Sequence, residues 1–138
     1  TFVEAGADII LFCFDAVPNP GEVLRAIKAR GRKAGVSLLI TESIDVLAPH
    51  WNDLDVLCIV GTAMGIKGAS MDPGIPDKIR RAREEITRRG LATEIEADGG
   101  IRRETVPLLK AAGADYIVPG SLMFKENPPE MRHWLASL

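Results

Sequence analysis

The sequence predicts an α/β protein in which parallel strands alternate with helices, and two observations support this prediction. Residues 4–12 and 111–118 are similar, because each segment reads as a helix end, a glycine stop and an unbroken apolar strand. Three further strand-like segments separate them, at an average spacing of roughly 27 residues, which is the size of a strand-plus-helix unit. Five such units form either a small doubly wound sheet or five-eighths of a (β/α)8 barrel.

The predicted strands are mostly continuous apolar runs, as expected when helices or core cover both faces of a sheet. The first follows Gly6, the next three cover residues 35–40, 56–60 and 93–97, and the last follows Gly113. The fourth strand differs, because Glu94 and Glu96 alternate with apolar residues. We therefore expect one face of that strand to be polar.

Four helices are predicted from their end signals and apolar stripes. Asn19 can cap a first helix that begins at Pro20 and stops at Gly31. A shorter helix covers residues 104–112. The longest helix ends before Gly90, and its apolar face comprises Ile75, Ile79, Ala82 and Ile86. The last helix has an apolar face of Met131, Trp134, Leu135 and Leu138. We assign these stripes to the hydrophobic core.

Composition argues against several classes of protein. The 138 residues fit one domain, and 17 Lys and Arg against 19 Asp and Glu, a formal net charge of −2, argue against a nucleic-acid partner. We expect no membrane partner, since no stretch approaches the ~18 apolar residues of a membrane span. Cys13 and Cys58 lie within apolar runs, which indicates buried thiols and a cytoplasmic location. The two histidines are far apart in sequence, so a histidine-based metal site within this chain is not expected.

In either architecture, a ligand binds at the carboxyl ends of the strands. Glycine lets backbone amides approach an anion closely, and three of the predicted strand ends are rich in glycine: residues 61–68, 98–100 and 120–121. In a barrel, the loops after the last two strands commonly form a phosphate site. The sequence therefore predicts a phosphate-binding edge.

Asp98 is the one carboxylate at a predicted strand end within such a glycine-rich turn. One interpretation is a turn aspartate that binds local backbone groups. The other is a general acid or base, or a metal ligand, because a carboxylate in a dry pocket can exchange a proton with a carbon acid when a metal stabilises the enolate. The residues alone leave both interpretations open.

Three motifs together resemble the ribulose-phosphate 3-epimerase family: Ile-Glu-Ala-Asp-Gly-Gly-Ile at 95–101, Ala-Gly-Ala-Asp at 112–115 and Gly-Ser at 120–121. The resemblance extends over essentially the whole chain. It implies a TIM (β/α)8 barrel, of which residues 1–138 form a single-domain part covering strands four to eight. The first three βα units are expected to precede Thr1, since the opening residues read as the end of a helix stopped by Gly6.

The resemblance implies an isomerase of the pentose phosphate pathway that interconverts D-ribulose 5-phosphate and D-xylulose 5-phosphate. In that family one aspartate removes the C3 proton, a second delivers one from the opposite face, and a divalent metal steadies the enediolate. By resemblance, Asp98 is one of the catalytic pair and also a metal ligand, and the metal is of the Zn, Fe, Mn or Co class. The family's other aspartate and its two histidine ligands lie on earlier strands. The full-length protein is expected to form a homo-oligomer.

The resemblance also assigns residues to the sugar phosphate. At the last two strand ends, these are Gly99, Gly100, Gly120 and Ser121. A third group stands where the family has a Gly-Phe-Gly-Gly substrate loop, and comprises Gly65, Ile66, Lys67 and Gly68.

The chain departs from the family pattern around the substrate. Cys13 stands where the family usually has histidine, and Met64 and Lys67 replace a proline and a glycine of the sixth-strand loop. Glu42 is an additional carboxylate at a strand end, and we favour a helix-start role for it over a site role. These departures leave open an epimerase for another ketose phosphate, such as a ketohexose 6-phosphate. A non-catalytic phosphate-binding barrel and a lyase of the same superfamily are further alternatives.

Overall fold

Strands and helices alternate along the chain in the computed structural model, which describes residues 1–66, 68–125 and 127–138. The strands are β1 (Ile9–Cys13), β2 (Lys33–Leu38), β3 (Val56–Val60), β4 (Glu94–Asp98) and β5 (Tyr116–Val118). The helices are α1 (Pro20–Lys28), α2 (Ile75–Arg88), α3 (Val106–Ala112), α4 (Gly120–Lys125) and α5 (Pro128–Ser137). Short 3₁₀ turns follow β1 and β2: Phe14–Ala16, Ile44–Leu47 and Trp51–Asp53.

The order of the strands identifies the architecture. All four pairings are parallel, and the strands lie side by side in chain order from β1 to β5. A doubly wound sheet reverses its strand order at a switch point, whereas a barrel adds each new strand on the same side. The described sheet is therefore part of a barrel, and the doubly wound alternative is wrong.

One face of the sheet packs against the helices and forms the core. Val36, Leu57, Ile59 and Ile95 are almost fully buried on that face. The predicted stripe of α2 packs with them, since Ile75, Ile79, Ala82 and Ile86 are each 2% exposed or less. Full burial of such side chains contributes about 1.5–3 kcal/mol each relative to exposure. In α5 only Met131 is fully buried, while Trp134 and Leu135 are partly buried and Leu138 is 37% exposed.

The repeated sequence pattern corresponds to a repeated backbone motif. The Gly113 N–H donates to Lys110 O and the Ala114 N–H donates to Leu109 O, which is the Schellman arrangement at the end of α3. Gly6 and Ala7 make the equivalent bonds to the carbonyl oxygens of residues 3 and 2. Both segments are thus helix-type ends that lead into a strand, as the sequence predicts.

Carboxylates join neighbouring units at the amino ends of β3 and β5. Asp55 accepts a hydrogen bond from the Ala34 N–H at 2.9 Å, and Asp115 accepts one from the Ile95 N–H at 2.7 Å. Each carboxylate also pairs with a cation from an earlier helix, Lys28 of α1 for Asp55 and Arg83 of α2 for Asp115. These contacts fix the parallel register at the edge of the sheet opposite to the glycine-rich turns.

Several element boundaries differ from the sequence prediction. Asn19 occupies the position before α1, but its side chain makes no capping hydrogen bond within the described residues. The strand β2 begins at Lys33 and ends at Leu38, two residues earlier at each end than predicted, and α3 begins at Val106 rather than Glu104. The helix α4 was not predicted, because the chain turns directly into it at Gly120 after the three-residue strand β5.

Replacing Asp115 by alanine should destabilise the fold by about 1–3 kcal/mol, because the buried Ile95 N–H loses its acceptor. The free energy of unfolding in urea measures this loss. Asp77→Ala is the matched control, since that carboxylate is 76% exposed and its one ion pair among the described residues is with Arg80 on the same helix, so its loss should cost under about 1 kcal/mol. Equal losses in the two variants would contradict the proposed role of Asp115.

Candidate functional site

Asp98 is the last residue of β4 and lies at the carboxyl edge of the sheet. In the parallel register it stands between Val60 of β3 and Val118 of β5. Its backbone oxygen accepts a hydrogen bond from the Gly61 N–H at 2.6 Å, so the β3 chain continues against β4 beyond the strand itself. Its side chain is partly buried.

Two adjoining pockets share Asp98 as part of their wall. The first, here called the glycine pocket, has a volume of about 380 Å³ and is lined by Thr62, Ile66, Gly68, Ala69 and residues 98–102 and 118–121. The second, here called the loop pocket, has a volume of about 410 Å³ and is lined by Val60, Asp98, Gly99 and residues 62–66. Both volumes are in the range typical of small-molecule sites. Asp98 therefore lies where the two pockets meet.

The structure brings most of the predicted site residues to these two pockets. Ile66, Gly68, Gly99, Gly100, Gly120 and Ser121 line the glycine pocket together with Asp98. Gly65 lines the loop pocket. Lys67 lies outside the described residues. The roles that the resemblance gives to these residues remain predictions.

Close packing requires glycine at positions 99 and 100, whether or not a ligand binds there. Both have positive φ angles, 93° and 69°. A Cβ atom at Gly99 would lie 2.6 Å from Thr62 Oγ1, and one at Gly100 would lie 2.6 Å from backbone atoms of Met71. The β3–α2 loop therefore sits directly on the Asp98–Gly99–Gly100 turn, where no side chain fits.

Thr105 stabilises the same turn through hydrogen bonds to its backbone. It was not predicted as a site residue. Its Oγ1 accepts a hydrogen bond from the Arg102 N–H at 2.8 Å and donates to Gly100 O at 2.8 Å. Threonine hydroxyls commonly bond the backbone three residues earlier in the chain. That local pattern is the one sequence signal that could have indicated this role of Thr105. Thr105 thus fixes the backbone between the turn and α3.

Arg102 is a second residue that the sequence reasoning missed. It lines the glycine pocket, and Asp98 and Arg102 are the two charged side chains among the described residues that line it. The Arg102 Nη1 donates to Ile101 O at 2.8 Å, and the side chain is partly buried. The glycine pocket therefore contains one carboxylate and one guanidinium.

The two cysteines differ from each other in the structure. Cys58 is 4% exposed, and burial together with the nearby Glu96 carboxylate raises the pKa of its thiol, so it stays protonated at neutral pH. Cys13 was expected to be buried, but it is exposed. It lies on β1, the outermost strand of the described sheet, where no strand among the described residues covers that side, and Ser37 Oγ is 3.5 Å from its sulfur.

Glu42 belongs to its own loop and lines neither of the two pockets. Its Oε2 accepts a hydrogen bond from the Leu39 N–H at 2.7 Å. Lys78 of α2 donates to Leu39 O at 2.5 Å, and burial lowers the pKa of its ammonium group. These two side chains hold the β2 loop against the start of α2, so a structural role for Glu42 is supported.

The described residues do not by themselves form a metal site. Across residues 1–66, 68–125 and 127–138, no three His, Cys, Asp or Glu side chains are grouped as metal ligands. His50 packs edge-on against Phe14, with ring centroids 5.8 Å apart, and His133 is exposed on α5. Asp98 alone is a single donor, which does not fit a divalent metal without further ligands.

No helix in the described part of the chain has the length and apolar character that are needed to cross a bilayer.

A parallel sheet in sequential order with a glycine-lined site at its carboxyl edge defines this chain as part of a barrel of the TIM type. The sequence model of the ribulose-phosphate 3 epimerase family matches residues 1–124, and the chain belongs to that family.

Named relatives agree with this assignment, and a solved structure agrees with the fold. The ribulose-phosphate 3-epimerase of Escherichia coli K12 is 34% identical over 142 residues, which cover 99% of this chain and 63% of the relative. That of Chlamydia pneumoniae is 36% identical over 129 residues, 92% of this chain and 56% of the relative. The crystal structure of 3-hexulose-6-phosphate synthase matches with a TM-score of 0.61 at 18% identity, over 92% of this chain and 59% of that chain, which supports the fold. The chain spans 50–63% of the length of the curated relatives that it matches.

Replacing Gly100 by alanine should destabilise the protein more than the same change at Gly90. Both glycines have a left-handed backbone, with φ of 69° and 64°, which costs a side chain about 1–2 kcal/mol. At Gly90 the added methyl group meets open space, whereas at Gly100 it meets the Met71 backbone, and the overpacking adds about 1–3 kcal/mol. Urea unfolding of the two variants measures the difference. A Gly100→Ala variant as stable as Gly90→Ala would show that the loop does not pack on the turn.

Proposed function

We propose that the protein interconverts D-ribulose 5-phosphate and D-xylulose 5-phosphate by proton transfer at C3. The observation that carries this proposal is the position of Asp98, a carboxylate at the wall between a glycine-lined pocket and a second pocket. Membership of the ribulose-phosphate 3 epimerase family supports the reaction class. Because the chain spans 63% of the length of its E. coli relative, the activity is proposed for the intact protein rather than for residues 1–138 alone.

The glycine pocket is the proposed place for the phosphate group of the substrate. Gly99, Gly100, Gly120 and Ser121 line it, and the backbone at such turns can donate N–H groups to an anion. With the phosphate there, the sugar carbons extend past Asp98 towards the loop pocket. Ile66 and Gly65 would then lie along the sugar, as the resemblance to the substrate loop predicts.

Asp98 is the proposed acid or base on one face of C3. An ionised carboxylate removes the proton from carbon, and the neutral form returns a proton in the reverse direction. Inversion at C3 needs a second acid or base on the opposite face, and the described residues lining the two pockets include no second carboxylate. We infer that this group comes from the part of the protein that the relatives have and this chain does not cover.

The family is consistent with a divalent metal of the Zn, Fe, Mn or Co class, for which Asp98 would be one ligand. Since Asp98 is a single donor among the described residues, the remaining ligands would come from the part of the protein that this chain does not cover. We also propose that residues 1–138 form one domain with the earlier βα units, and that the intact protein is a cytoplasmic homo-oligomer.

Asp98→Asn in the intact protein should reduce exchange of the C3 proton of ribulose 5-phosphate with solvent deuterium by about 10²–10⁴-fold, because the amide cannot take up the proton. Proton NMR measures the exchange. Binding of inorganic phosphate should be retained or strengthened relative to the wild type, since the glycine turns are intact and the negative charge that repels an anion is removed. Glu104→Gln is the control, as it removes an exposed carboxylate from the same loop.

Exchange at the wild-type rate in Asp98→Asn would refute the role of Asp98. Exchange, phosphate binding and product analysis together separate the alternatives. Exchange in a ketohexose 6-phosphate but not in ribulose 5-phosphate would identify a different sugar. Phosphate binding without exchange in any sugar phosphate would support a non-catalytic barrel, and cleavage of a carbon–carbon bond would indicate a lyase.

A further inference from the structure

We propose that Arg102 binds the phosphate group of the substrate directly and that its guanidinium makes the site selective for phosphorylated sugars. The proposal rests on the proposed function and adds a side chain to a site that the sequence assigned to backbone groups and the 65–68 loop. Arg102 is therefore a candidate specificity residue.

The charges in the glycine pocket lead to this proposal. A sugar phosphate carries close to two negative charges at neutral pH, and the Asp98 carboxylate lines the same pocket. Two anions in one small pocket repel each other unless a cation lies nearby. Among the described lining residues, Arg102 is the cation that can offset this repulsion.

The geometry keeps the Arg102 guanidinium at the pocket and leaves donors for a ligand. Its backbone N–H is bound by Thr105 Oγ1, and its Nη1 donates to Ile101 O at 2.8 Å, beside the Gly99–Gly100 turn. A guanidinium has five N–H donors arranged to match phosphate oxygens. Within residues 1–66, 68–125 and 127–138, no carboxylate forms an ion pair with Arg102, in contrast to Arg83 and Arg88.

The neighbouring Arg103 provides a natural comparison. Its guanidinium lies over the Trp134 ring of α5, 4.6 Å from the ring centroid, and it does not line the glycine pocket. The two arginines thus carry the same charge one residue apart, but only Arg102 is placed to contact a ligand in that pocket. A general effect of positive charge on anion binding would affect both positions alike.

The experiment is a titration of the intact protein with inorganic phosphate by calorimetry, in the wild type, Arg102→Gln, Arg102→Lys and Arg103→Gln. Arg102→Gln should weaken phosphate binding about tenfold or more, the usual loss for a charge-assisted contact. Arg102→Lys should recover part of the affinity, because it restores the charge without the fork of donors. Arg103→Gln should bind within about twofold of the wild type.

Steady-state kinetics with ribulose 5-phosphate gives a second readout. Arg102→Gln should raise KM about tenfold while kcat stays within about threefold, because the contact is the same in the ground and transition states. A merely structural role would instead lower kcat and the melting temperature together, and Arg102→Lys would not restore KM.

Two results would overturn the proposal: wild-type phosphate affinity in Arg102→Gln, or equal losses in Arg102→Gln and Arg103→Gln. The proposed function fails separately. If Arg102→Gln weakens phosphate binding but the wild type exchanges no C3 proton, the binding residue is confirmed and the epimerase proposal is wrong. If Asp98→Asn abolishes exchange but Arg102→Gln binds phosphate normally, the reverse holds.

Discussion

The site depends on one backbone contact, the hydrogen bond of 2.6 Å from the Gly61 N–H to Asp98 O. It extends the pairing of β3 and β4 past the end of the sheet, at a point where a Cβ on Gly61 would lie 2.6 Å from Gly99 O. The loop then returns, because the Asp72 N–H donates to Gly61 O at 2.8 Å just before α2 begins. Glycine at 61 therefore lets the loop pack against the Asp98 turn, and residues of that loop line both pockets.

Charged residues stabilise the fold at the amino ends of the strands and line a pocket at the carboxyl ends. At the amino ends, Asp55 and Asp115 bind backbone N–H groups of the neighbouring strand and cations from the preceding helices, so their charges are used within the fold. At the carboxyl ends, Asp98 and Arg102 line a pocket and form no ion pair with any described residue. Barrel proteins separate stability and function in this way between the two ends of the strands. The same residue type, aspartate, thus has opposite roles according to the end at which it lies.

Much of this arrangement could be predicted from the sequence. The strand β3 was predicted with its observed bounds, and the α2 stripe and the glycine stops before β1 and β5 are as expected. The limits of β2 were not, because Lys33 joins the ladder while its side chain pairs with Glu94, and Leu39 leaves it to bind Glu42 and Lys78. Such side-chain contacts come from distant parts of the chain, so local hydrophobicity cannot reveal them. For the same reason Asp98 could be predicted as a site residue, whereas the positions of Arg102 and Thr105 beside it could not.

Either close packing or phosphate binding could explain the glycines of the Asp98 turn, and these two explanations can be separated. Gly99 and Gly100 would clash with Thr62 and Met71 if they carried side chains, so packing alone requires glycine at both positions. Glycine there is consequently weak support for a phosphate ligand. Gly120 differs, since a Cβ there would meet no atom within 4 Å, although its φ of 31° disfavours other residues. The stronger support for an anionic ligand is therefore Arg102, a cationic residue that lines the pocket and forms no ion pair with any described carboxylate.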